Sequence, residues 1–267
     1  MALPAIWRWL HSPEMINMKK FIFPFLLLLL AGAGCAPEMP RQFMSAHFVF
    51  FYNKSYDQNE AKGVSKSLED NYTRISTDLD TRPVDPIAVY LYSSRWAYAT
   101  THGHWTSGGN IEGDGKLHFL QHGWDEESIN KIAVHEFTHA VMLKLLLDQE
   151  PQPLNAPRFD KKFASFPTWL YEAIAVYEAQ QFVDPKTLPF LTGNRYPDLN
   201  ELNDRSRGQK IYKVGYTIIE YILAKYGKDK FIQLIKAYGD LKVLATSMDA
   251  FSKDWYAYVK GKYLAAK

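Results

Sequence analysis

Apolar positions change their spacing several times along the chain. Phe48 to Tyr52 is an unbroken aromatic and β-branched run, which predicts a buried strand. Ala61, Val64, Leu68, Tyr72, Ile75 and Leu79 then recur at intervals of three and four, predicting a helix over 58–79 that stops before Pro83. Residues 86–92 predict a second strand, the glycine-rich stretch 107–115 a turn, and 116–121 a third strand placed at a sheet edge. Ile129, Ile132, Ala133, Phe137, Ala140, Val141 and Leu145 trace one face of a long helix over 125–147. Asp125 is its expected N-cap, with Glu126 and Glu127 opposing the helix dipole in the first turn. Asp148 to Phe166 carries Pro151, Pro153 and Pro157 and reads as a loop. Everything after Pro167 reads as helices, with a long irregular insert at 183–208. The outline is α+β: an α/β subdomain over 43–150, then a helical subdomain over 151–267.

The first 35 residues are of another kind. Residues 21–30 are an apolar run, too short for the roughly 20 residues that a helix needs to cross a bilayer. Lys19 and Lys20 precede it and the small residues 31–34 follow it, the layout of a secretory signal peptide over 1–34. Met15 or Met18 is a more natural start for such a peptide than Met1. Cys35 is the only cysteine, so an internal disulfide is excluded. Ala33-Gly34-Cys35 resembles a bacterial lipoprotein signal, although Gly32 stands where leucine is usual. The resemblance implies lipidation of Cys35 as the mature N-terminus, followed by a short leader over 35–42. It also implies export to the bacterial cell envelope, facing the periplasm or the exterior, with the membrane touched through the lipid anchor only.

Charge narrows the partners further. The formal net charge is +2; without residues 1–34, which hold Arg8, Lys19, Lys20 and Glu14, 28 basic and 28 acidic residues remain. A generic nucleic-acid binder carries a basic excess, so no nucleic acid is expected as a partner.

The chemistry concentrates in His135-Glu136-Phe137-Thr138-His139, an H-E-x-x-H pentapeptide on the long helix. Spacing of four sets both imidazoles on one face, where two nitrogens can reach a common ion. Glu136 is rotated about 100° from His135, so it can lean over the open side of that ion without ligating it. A catalytic zinc takes three protein ligands and keeps one place for water. Glu172, an acid within the apolar and alanine-rich run 167–177, is the candidate third ligand. Glu178 lies about 240° further around that helix and is expected to be solvated. His47, His102, His104, His118 and His122 lack the spacing and read as surface or packing residues.

The second histidine is followed by W-L-x-E-x-x-A-x-Y, running from Trp169 through Glu172 to Tyr177, with 32 residues between His139 and Glu172. Together with the pentapeptide this resembles the gluzincin zinc metallopeptidases, and within them the peptidase-MA-like domains of bacterial exported proteins. The resemblance implies a zincin-like α+β fold and one zinc ion held by His135, His139 and Glu172. It also implies that Glu136 activates water. Ala173 stands where glycine is common. Val176 stands where thermolysin-type members carry an aspartate that orients a histidine, so that support must come from elsewhere. Tyr212-Lys213-Val214-Gly215 resembles the Y-x-x-G helix of aminopeptidase-N-type enzymes, whose tyrosine stabilises the tetrahedral intermediate. Tyr212 is the candidate, with Tyr216 one turn away as the runner-up.

The expected function is that of a zinc-dependent metallopeptidase, cleaving peptide or protein substrates in the cell envelope. Aminopeptidases of this kind grip the free amine through a G-x-M-E-N segment. Glu112 falls near that place, but out of register and without the flanking residues, so 108–113 reads as a turn and an endopeptidase is preferred. The alternatives are an aminopeptidase, a hydrolase of non-peptide amides, and a catalytically silent zincin-like binding lipoprotein.

Overall fold

The computed structural model describes residues 39–102, 108–113, 115–121, 128–204 and 209–265. The expected signal segment, Cys35, the expected cap Asp125 with Glu126 and Glu127, His104, His122 and the side chain of His102 lie outside them. The fold is α+β. Strands β1 (Arg41–Met44), β2 (Phe48–Tyr52), β3 (Ile87–Tyr92), β4 (Gly109–Ile111) and β5 (Leu117–Leu120) form one sheet in the order β1-β2-β3-β5-β4. The three central strands are parallel, and β1 and β4 close the edges antiparallel. Register aligns Phe50 with Val89 and Leu91 with Phe119, so one face of the sheet is a continuous apolar surface.

Two helices cover that face. Helix α1 (Gln58–Asp78) starts at Asp57, whose carboxylate accepts from the amides of Asn59 and Glu60. It buries Ala61, Val64, Leu68, Tyr72 and Ile75, the positions its spacing predicts. Helix α3 (Ile129–Leu147) lies beside it, with Phe137 edge-on to Phe48 at 5.4 Å. Its N-cap is Ser128, not Asp125, because the Ser128 hydroxyl accepts from the Asn130 amide and starts the helix there. Helix α2 (Arg95–His102) packs on the opposite face through Ala97 and Tyr98 against Tyr92 and Leu120.

The second half corrects two expectations. Helix α4 (Ala156–Phe163) interrupts the proline-bearing segment expected to be a loop. Asn155 caps it by accepting from the Arg158 amide, Pro157 suits its first turn, and Phe159 and Phe163, four apart, are both buried. The insert at 183–208 holds the short helices α6 (Pro189–Thr192) and α7 (Leu199–Asn203). Helix α5 (Thr168–Glu178) is enclosed on all sides, with Trp169 to Val176 buried without a break. It packs against α8 (Lys210–Lys236), whose course breaks at Gly227, a residue with φ of 78°. Here Gly215 matters: a Cβ on it would lie 2.9 Å from the Ala173 Cα, so the two backbones approach at van der Waals distance. Helix α9 (Met248–Val259) closes the outside of α8 through Trp255 and Phe251. One hydrophobic core runs from the sheet through α3 and α5 to α9. No described helix is long and apolar enough to cross a membrane.

Candidate metal centre

Helices α3 and α5 bring the pentapeptide and Glu172 together. His135 and His139, one turn apart, are buried, and so is Glu172. Their ligand atoms form a triangle. His135 Nε2 is 3.2 Å from His139 Nε2 and 3.3 Å from Glu172 Oε2, and His139 Nε2 is 3.7 Å from the same oxygen. Donors placed tetrahedrally at about 2.0–2.1 Å from one ion are about 3.3 Å apart, so these side chains have the separations a single divalent cation asks for. Two imidazoles and one carboxylate also suit a transition-series ion better than an all-oxygen cation such as calcium. Among the described residues this is the one cluster of histidine, cysteine, aspartate and glutamate able to hold a metal.

The electrostatics of the cluster follow from its burial. Burial alone would lower the pKa of His135, but the Glu172 carboxylate against it, with Glu136 nearby, raises it. Burial pushes Glu172 up, and the two imidazoles override this and hold its carboxyl well below the ordinary value. The carboxylate is therefore ionised, ready to ligate.

Neighbouring side chains hold the candidate ligands in place. The His139 ring stacks on Tyr171 at 3.9 Å and 5°. His135 Nδ1 lies 2.9 Å from Gln181 Oε1. Glu136, half-buried, rests under β4: a Cβ on Gly109 would meet its Cγ at 2.7 Å. That close approach is why glycine stands at 109. The segment 109–111 is thus a strand rather than part of a turn, and β4 is the outermost strand on this side. Residues 116–121 contribute β5, which lies inside the sheet between β3 and β4 and is not an edge.

Tyr212, 46% exposed, places its ring 6.2 Å from that of His135. Tyr216 instead packs on Tyr177 and Phe182. Glu112 leads out of β4, its carboxylate 3.4 Å from the buried His118, which stacks on Tyr90. His47 pairs with Glu69 at 2.6 Å and stacks on Tyr72, tying β2 to α1. Neither histidine joins the cluster.

Glu178 is corrected outright. It is 1% exposed and pairs with Arg74, whose side chain reaches from α1 to the end of α5. Gln181 and Gly109 were not singled out from the sequence. A polar residue 46 positions from His135 and a glycine in a glycine-rich stretch give no local signal of such contacts. Compared with the models of known protein families and with curated proteins, the chain matches none.

Proposed function

We propose that the chain is a zinc-dependent metallopeptidase of gluzincin type, exported and held at the bacterial envelope by a lipidated Cys35. The observation that carries the reading is the convergence of His135, His139 and Glu172 within ligand distance of one another, with Glu136 adjoining. Binding alone needs no general base, and Glu136 is available as one. When bound, a zinc ion supplies Lewis-acid activation of water and of the substrate carbonyl.

The chain's own residues supply the rest. An extended substrate pairs with the outer edge of β4, which sets its backbone beside Glu136. Glu136 takes a proton from a water in the cleft and delivers it to the leaving amine. The Tyr212 hydroxyl donates a hydrogen bond to the developing oxyanion. Burial of the three ligands keeps competing water off the Glu172 carboxylate.

The test compares the mature chain with Glu136→Gln for zinc content and peptide cleavage. One equivalent of zinc is expected in both. Cleavage is expected to fall about 10²- to 10⁴-fold in the variant. Equal cleavage by the two proteins, or a wild type without metal, defeats the reading.

A further inference from the structure

The end of α5 is built to deliver one side chain to the metal site. Ala179 caps the helix, and Gln180 adopts the left-handed conformation at φ 54°. The Gln181 amide then donates back to the Val176 carbonyl at 3.0 Å, and the Gln180 amide to the Tyr177 carbonyl at 3.0 Å. These two bonds are the Schellman closure of a helix C-terminus, which turns the chain sharply back across the last turn. Left-handed backbone is costly for a residue other than glycine, so the reversal has to be held by its surroundings. Arg74 of α1 holds it by donating both to the Glu178 carboxylate and to the Glu178 backbone carbonyl.

The result is that Gln181 Oε1 stands 2.9 Å from His135 Nδ1. His135 turns its other nitrogen, Nε2, to His139 and Glu172. A neutral imidazole that offers Nε2 as a ligand must carry its proton on Nδ1, and that proton needs an acceptor. Gln181 can meet this need only with its amide oxygen. Val176, earlier on α5, is buried, and its apolar side chain has no acceptor to offer.

We propose that Gln181 is the positioning residue of the metal centre: its amide oxygen holds His135 in the Nδ1–H tautomer and fixes the direction of Nε2. This rests on the metal site proposed above. The acceptor is an uncharged amide, so the ring is oriented without a further negative charge beside a site that already contains Glu172 and Glu136. Gln181 works through His135 and touches neither substrate nor metal.

The test uses the mature full-length chain, stripped of metal, as wild type, Gln181→Leu and Gln181→Glu. Zinc affinity is measured by competition with a chromophoric chelator. The tautomer of His135 is read in the metal-free proteins from long-range ¹H–¹⁵N correlations of the imidazole, at a pH high enough that the ring is neutral. Leucine fills similar space without an acceptor, whereas glutamate keeps an oxygen at the same reach. Loss of a hydrogen-bond partner of this kind typically weakens metal binding about 10- to 100-fold. That loss is expected for Gln181→Leu, together with a mixed tautomer at His135, and Gln181→Glu is expected to bind at least as tightly as wild type. Equal affinity for wild type and Gln181→Leu overturns the proposal. So does an equal loss in both variants, which would mark Gln181 as packing only. A wild type that binds no zinc defeats the peptidase reading, and the tautomer comparison then decides on Gln181 by itself.

Discussion

The contact between α5 and α8 sets up a test in which two known effects oppose each other. Gly215→Ala adds one methyl to the second turn of α8. In a helix interior, alanine is favoured over glycine by about 0.8–1.0 kcal/mol, so propensity alone makes the variant more stable. The new Cβ, however, would sit 2.9 Å from the Ala173 Cα and 3.3 Å from its Cβ. Carbon atoms prefer separations of about 3.5–4.0 Å, so the helices must part by about 0.6 Å or more. The obstructing atom is backbone and cannot rotate aside. Overpacking of this kind costs about 1–3 kcal/mol, which exceeds the propensity gain in most of its range. A net destabilisation of about 1 kcal/mol is expected in chemical denaturation of the metal-free chain. Because Ala173 directly follows Glu172, zinc affinity should fall with it. Gly63→Ala in α1 is the control, since its added Cβ meets only the Asn130 side chain at 3.6 Å, and it should gain about 0.5–1 kcal/mol. If Gly215→Ala gains stability as the control does, the close approach of the two helices is refuted.

Other consequences follow from the same geometry. Tyr212→Phe should leave zinc content unchanged and lower kcat about 10²-fold or more, as expected for loss of an oxyanion donor; an unchanged kcat would remove Tyr212 from the mechanism. Burial raises the Glu178 carboxyl to about 7, with Arg74 opposing, whereas an unfolded glutamate titrates near 4.5. The native state therefore binds the proton more tightly than the unfolded state, and stability is lost as pH rises from about 4.5 to 7, by up to about 3 kcal/mol. Comparing denaturation of wild type and Glu178→Gln across that window checks the sign, since the variant should lack this part of the slope. Zinc at a hundredfold excess over its dissociation constant should stabilise the fold by about 2.7 kcal/mol. For a chain of this size that raises Tm by about 5–10 °C, which magnesium should not reproduce.

What was readable from the chain alone is what depends on helical periodicity. Helix α1 and the core of α3 follow from apolar residues three and four apart, because neighbours on a helix are set within one segment. His135, Glu136 and His139 were legible for the same reason, since a spacing of four fixes two imidazoles side by side whatever surrounds them. Glu172 was legible as an acid inside the apolar, alanine-rich run 167–177.

Contacts between distant segments decided the rest. Strand β4 is three residues long and exists through its pairing with β5, so the glycine-rich stretch around it reads as a turn until that partner is known. The burial of Glu178 depends on Arg74, 104 residues earlier, and no pattern within α5 announces it. Gln181 reaches His135 only because α5 ends in a left-handed reversal and lies against α3. A helical period carries information over a few residues, whereas strand pairing, ion pairs and the orientation of a ligand are settled when separate helices and strands pack.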